Sequence, residues 1–178
     1  MPSLGLFEKH AQTELHQLAV KEVSREQVTH EHLPIVFVSI FEHNSNLLPW
    51  RETGAQIELI PMTDDGNFDY AFYEKRLIDL SSKKCLKIGC FSAGSNITGN
   101  IFDTDYLAML SHKFGALAVF DYAAVGSYVE VNMNGISKHR PFSHELKDKE
   151  LCYKDAIFLS PHKMVGGPGS SGILLTKK

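Results

Sequence analysis

The residues best suited to chemistry cluster near the end of the sequence, where the apolar run Ala156 to Leu159 breaks into Ser160-Pro161-His162-Lys163. Glycines follow at 166, 167, 169 and 172. A strand that delivers a lysine at its exit holds one amine at the edge of a cleft. A desolvated lysine can lose its proton and attack carbonyls. Three more polar residues follow apolar runs in the same way: His43, Asn96 and Asp121. Each has a plain reading of its own: a loop histidine, a turn amide, a helix cap, and for Lys163 a surface amine before a tight turn. Together they suit a single chemistry. The amine can condense with an aldehyde cofactor, and the carboxylate can pair with a protonated ring nitrogen so that the ring stays an electron sink. The imidazole can stack on that ring, while Ser160, His162 and nearby backbone N–H groups can hold a phosphate. An ion pair of about 4 Å at an effective dielectric near 20 is worth about 4 kcal/mol before desolvation. That is enough to set the protonation of a ring nitrogen.

The elements that must position these groups can be read from apolar periodicity. Residues 4 to about 21 carry Leu4, Phe7, Ala11, Leu15, Leu18 and Ala19 at helical spacing, and a charged loop is expected from Lys21 to His32. Ile35 to Phe41 is almost continuously apolar and β-branched, as in a strand buried on both faces. A short helix is expected over 47–53, with Pro49 in its first turn. Ala55 to Met62 predicts a second strand, followed by the turn Asp64-Asp65-Gly66-Asn67 and a helix capped by Asp69, with Phe72, Leu77 and Leu80 inward. Cys85 to Phe91 predicts a third strand. Asp103 should cap a helix with the stripe Tyr106, Leu107, Leu110 and Phe114, ended by Gly115. Ala116 to Phe120 is a fourth strand, residues 126–154 a long polar surface excursion, 156–159 a fifth strand and 172–176 a short sixth. Alternating strands and helices imply an α/β domain with a mostly parallel sheet and flanking helices. In such sheets ligands bind beyond the carboxyl ends of the strands. If the strands are neighbours, His43, Asn96, Asp121 and the Ser160–Lys163 group line one crevice.

Composition narrows the function classes. A net charge of −3 gives no reason to expect nucleic acid or an anionic membrane as partner. The basic residues cluster only locally, at Lys138 to Arg140 and Lys147 to Lys149, in a stretch that also carries acids, and read as a solvated loop. No apolar run approaches a membrane span, and the N-terminus lacks a signal-type core, so a cytoplasmic protein is expected. Cys85 and Cys90 should face opposite sides of a strand and Cys152 stands alone; the three read as reduced thiols, not as a disulfide framework or metal site. A nucleotide-binding loop over 166–172 lacks the Gly-Lys-Ser/Thr ending that chemistry needs.

Four ordered motifs carry a family resemblance: Glu42-His43-Asn44-Ser45-Asn46 with Leu48-Pro49-Trp50; Ser95-Asn96-Ile97-Thr98-Gly99; Asp121-Tyr122-Ala123; and Ser160-Pro161-His162-Lys163. In order and spacing the chain resembles the class V aminotransferases, pyridoxal-phosphate enzymes that include cysteine desulfurases and selenocysteine lyases. The resemblance covers about 35–178. It implies part of the fold type I large domain over 35–178, preceded by a helix and charged loop over 1–34. It implies pyridoxal 5'-phosphate as cofactor, an amino acid as substrate and, for the complete protein, a homodimer. Lys163 would form the internal aldimine and move the substrate's α-proton, and Asp121 would pair with the pyridine nitrogen. His43 would stack on the ring and assist proton transfer, Asn96 would lie near the phenolic oxygen or the substrate carboxylate, and Ser160 and His162 would contact the phosphate. Ala124 stands where the family usually has glutamine, Pro161 where it more usually has glycine or a small residue, and the excursion around Asn132 to Tyr153 is longer than in typical desulfurases. The family's N-terminal phosphate-binding turn and C-terminal small domain, with its substrate-binding arginine and persulfide cysteine, are not expected within this chain, and none of Cys85, Cys90 or Cys152 matches that cysteine. The alternative expectation is a non-catalytic remnant or truncated gene product of the family.

Overall fold

A computed structural model describes residues 33–177. The helix and loop expected before residue 33 lie outside the described residues. The elements, in order, are β1 (Ile35–Ser39), α1 (Asn44–Glu52), β2 (Gln56–Ile60), α2 (Tyr70–Asp79), β3 (Lys87–Ser92), α3 (Thr104–Lys113), β4 (Leu117–Asp121), β5 (Ala156–Leu159) and β6 (Ile173–Thr176). They build a six-stranded sheet of order β2-β1-β3-β4-β5-β6. The first five strands run parallel, and β6 is antiparallel to β5.

Side chains alternate across the sheet as the strand period requires. Ile35 and Phe37 of β1, Phe91 of β3 and Phe120 of β4 pack on the face covered by α2 and α3, with Tyr73, Leu77, Leu107 and Leu110. Val36, Val38, Ile88, Cys90 and Val119 face the other side, against Leu47 and Trp50 of α1. All five residues of β1 are buried, so its continuous apolar run reflects helices on both faces. Both expected caps form: Asp69 accepts from the Phe72 N–H at 2.8 Å and Asp103 from the Tyr106 N–H at 3.2 Å. Among the described residues no helix is long and apolar enough to cross a membrane.

Three local readings are corrected. First, α1 starts at Asn44, not 47, and Pro49 lies inside it. The early start comes from His43, whose ring, in place of a serine or asparagine, caps the helix by accepting from the Ser45 N–H. Second, β3 begins at Lys87, so Cys85 precedes the strand. Third, the 126–154 segment is not simply a solvated loop. Arg140 forms a forked pair with the buried Asp103, whose Oδ2 also meets His144 Nδ1 at 2.8 Å. Lys154, fully buried, pairs with Asp105. Two carboxylates buried in the first turn of α3 need cationic partners, and the segment folds back to supply them. Lys138, His139, Lys147 and Lys149 do stay exposed.

Gly89 makes the close packing of β3 on α2 and α3 possible. A Cβ there would lie 2.5 Å from the Tyr73 hydroxyl and 3.0 Å from Ser111 Oγ, which bond one another at 2.7 Å in the core. Burial pushes the Tyr73 phenol well above its ordinary pKa. Gly89→Ala is therefore expected to destabilise the protein by about 1–3 kcal/mol through overpacking, read as a lowered midpoint in chemical denaturation.

Candidate active site

The strand order reverses between β1 and β3, the place where open parallel sheets present a crevice at their carboxyl ends. The segments leaving β1, β3, β4 and β5 converge there. His43, Ser45, Ser92, Gly94, Asn96, Asp121, Ala123, Ala124 and Lys163 line one small cleft. Four of the six residues singled out from the sequence are thus brought together: His43, Asn96, Asp121 and Lys163. Ser160 lines an adjoining cleft, which shares Ser45, Asp121 and Ala123 with the first. His162 lines neither and is exposed. Pro161–Lys163 forms a 3-10 turn, with three residues per turn, so the neighbouring His162 and Lys163 point in different directions.

Each group is held by local structure. The Ser45 N–H donates to His43 Nδ1 at 3.2 Å, and Ser45 Oγ lies 2.7 Å from the same atom. A nitrogen that accepts a backbone N–H carries no proton, so the neutral ring holds its hydrogen on Nε2. Asp121 ends β4 in register with Ser92 of β3. Its Oδ1 accepts from the Ala123 N–H at 2.8 Å, and among the described residues no hydrogen bond reaches Oδ2. Asn96 sits at the exposed rim of a tight loop whose Ser95 Oγ accepts from the N–H groups of Ile97 and Thr98, both at 3.2 Å. Lys163 donates its backbone N–H to the Ser160 carbonyl at 2.9 Å. The turn closes against Gly167, where a Cβ would fall 1.8 Å from the Pro161 carbonyl oxygen. Only glycine lets the backbone after the lysine fold back this tightly.

None of the three cysteines lines either cleft. Cys90 is fully buried, its thiol pushed up to about 12 mainly by burial, and it donates to Asn46 Oδ1 at 3.1 Å. Burial likewise pushes Cys152 up to about 11. Neither can supply a thiolate near neutral pH. Among the described residues no group of histidine, cysteine, aspartate and glutamate could hold a metal ion.

One residue of the site escaped sequence reading. Glu42, just before His43, bridges to Ser92 fifty positions along the chain, with Oε2 accepting from the Ser92 N–H at 2.8 Å and from Ser92 Oγ at 2.7 Å. Its sequence signal was a place in the first of the four motifs, beside a candidate histidine, with no role attached, and nothing local reveals its partner.

Comparison with known proteins bears on the family and the fold. The family model described as Aminotransferase class-V matches residues 10–138, starting well before the first motif and ending before the Ser160–Lys163 turn. A cysteine desulfurase of Synechococcus elongatus is 29% identical over 147 residues, covering 80% of this chain and 20% of the relative. A probable cysteine desulfurase of Vibrio cholerae is 30% identical over 146 residues, covering 80% of this chain and 31% of the relative. Among solved structures, the apo cysteine desulfurase of Thermococcus onnurineus NA1 superposes with a TM-score of 0.64 at 25% identity, over 83% of this chain and 32% of that one. The chain thus spans between about a fifth and a third of the length of these relatives. Its mostly parallel sheet with flanking helices is part of the fold type I large domain, as expected. The chain belongs to the class V aminotransferase family.

Proposed function

We propose that these residues form the cofactor-binding wall of a pyridoxal-phosphate-dependent enzyme that acts on an amino acid, with chemistry of the cysteine desulfurase or aminotransferase kind. The observation that carries this reading is the convergence of an amine, a carboxylate, an imidazole and an amide at the ends of four neighbouring parallel strands. The donor set fits the group. Among the described residues one Asp121 carboxylate oxygen has no hydrogen-bond partner, and it can hold a protonated ring nitrogen. Lys163 offers the amine that would bind the aldehyde carbon covalently and then carry a proton to and from the substrate's α-carbon. The capped ring of His43 offers a flat face against a heterocycle, and Asn96 an amide for the phenolic oxygen or the substrate carboxylate. Ser160, in the adjoining cleft, would meet the phosphate; His162, exposed, would join it only by turning inward. When bound, pyridoxal phosphate supplies an electron sink for charge developing at the α-carbon. The complete protein is proposed to be a cytoplasmic homodimer with a small-molecule amino-acid substrate.

Ala124 favours a second reading. It lines the cleft but offers no hydrogen-bonding side chain where the family usually has glutamine. In that reading the protein is a non-catalytic remnant and captures no cofactor.

Asp121→Asn separates the two. It keeps the shape and an acceptor while removing the charge. In the cofactor reading it is expected to weaken pyridoxal-phosphate binding by about 10–100-fold, the effect of losing a partly screened ion pair. The measurement is a fluorescence or absorbance titration of the full chain. Equal affinities for the two proteins, or no saturable binding by either, would count against it.

A further inference from the structure

The ladder between β1 and β3 runs from Ile35↔Lys87 to Phe37↔Gly89 and no further. Beyond it the two carboxyl ends part, opening the crevice at the point where strand order reverses. Opening a sheet orphans backbone groups. The Ala93 N–H still reaches β4, donating to the Asp121 carbonyl at 2.8 Å. The Ser92 N–H, one residue earlier, points the other way, toward β1, where no strand carbonyl meets it. Glu42 fills that gap. Its Oε2 takes the Ser92 N–H, Ser92 Oγ and, at 2.6 Å, Asn46 Nδ2. Its Oε1 accepts from Ser39 Oγ at 2.5 Å and from the Ser39 N–H at 3.4 Å. One carboxylate therefore ties together the end of β1, the first turn of α1 and the end of β3. The residue after it is His43, and the residue paired in register with Ser92 is Asp121.

We propose that Glu42 is a positioning residue for His43: it clamps the start of α1 to the split end of β3 and so fixes the imidazole in the cleft. This rests on the reading of the cleft as a cofactor site. The donors around Glu42 make the clamp one of hydrogen-bond geometry more than of charge. In Glu42→Gln the amide oxygen can still accept from Ser92 and Asn46, and the amide N–H can donate to Ser39 Oγ, so only the long contact from the Ser39 N–H at 3.4 Å is lost. Glu42→Gln should therefore preserve the clamp, while Glu42→Ala should release it.

Two readouts on the full chain test this. Without cofactor, long-range proton–nitrogen spectra of the His43 ring are expected to show a dominant Nε2–H tautomer in the parent and in Glu42→Gln. In Glu42→Ala they should show averaged ring nitrogens. With pyridoxal phosphate, Glu42→Ala and His43→Ala are each expected to weaken binding by about tenfold, and Glu42→Gln by no more than about twofold. The double variant should be no weaker than His43→Ala, because a residue acting through another is not additive with it. An unchanged ring signal in Glu42→Ala, or losses that multiply to about a hundredfold, would overturn the proposal. If Glu42→Ala does not fold, Asn46→Ala removes one donor and must shift the same ring signal. If the parent binds no cofactor, the site reading fails, and the ring spectra alone decide the role of Glu42.

Discussion

Asp105→Ala is expected to cost about 3–5 kcal/mol of folding stability, the largest loss foreseen for a residue outside the cleft. Lys154 is fully buried, and its ammonium has Asp105 Oδ1 as its anionic partner. Its other contacts are neutral: the carbonyls of Gly135 at 3.1 Å and Cys152 at 3.2 Å. Two carbonyl dipoles do not replace a counter-charge, so removing the carboxylate strands a cation in the core. The loss spreads further, because Asp105 Oδ2 also accepts the Ser137 N–H at 2.9 Å, and both contacts hold the segment between β4 and β5. Replacing both partners with apolar residues of similar size, as in Asp105→Leu with Lys154→Met, is expected to recover most of the stability, since the desolvation cost of both charges disappears. Urea unfolding of the three proteins measures this. A single variant within about 1 kcal/mol of the parent would mean that the pair contributes no more than a surface ion pair.

The fold was legible wherever burial left a period in the sequence. The runs around Val36, Ile88 and Val119 became neighbouring parallel strands with apolar packing on both faces, and the run around Ile157 joined them with one fully buried residue. Asp69 and Asp103 were legible as caps because capping is local. What could not be read was whatever depends on partners far along the chain. Arg140 and Lys154 look like solvated basic residues until Asp103 and Asp105, more than thirty positions earlier, are seen buried beneath them. Glu42 is equally silent without Ser92. The start of α1 was misplaced for a different reason. Asn44, Ser45 and Asn46 have the composition of a turn, yet a histidine ring performs the capping and lets them enter the helix. Of the candidate site, the strand-end residues were legible from position alone. His162, expected beside a phosphate with Ser160, lines neither cleft here, because successive side chains of a 3-10 turn point in different directions.

The proposed function turns on the Lys163 amine, which would meet an aldehyde cofactor in the cleft it lines. Lys163 lines that cleft with His43, Asn96 and Asp121, on a backbone turn closed against Gly167. Its side chain is exposed at the mouth, so substitution to alanine removes the amine without opening a core cavity, and the fold should stay intact. The effect on the cofactor should instead be all or nothing, because no other described side chain lining the cleft carries an amine. The most direct measurement is to incubate the full chain with stoichiometric pyridoxal phosphate, reduce with borohydride, and map the labelled peptide. A label of about one per chain is expected on the peptide containing Lys163, with its absorbance lost in Lys163→Ala. Labelling at some other lysine, or label retained in Lys163→Ala, would contradict it.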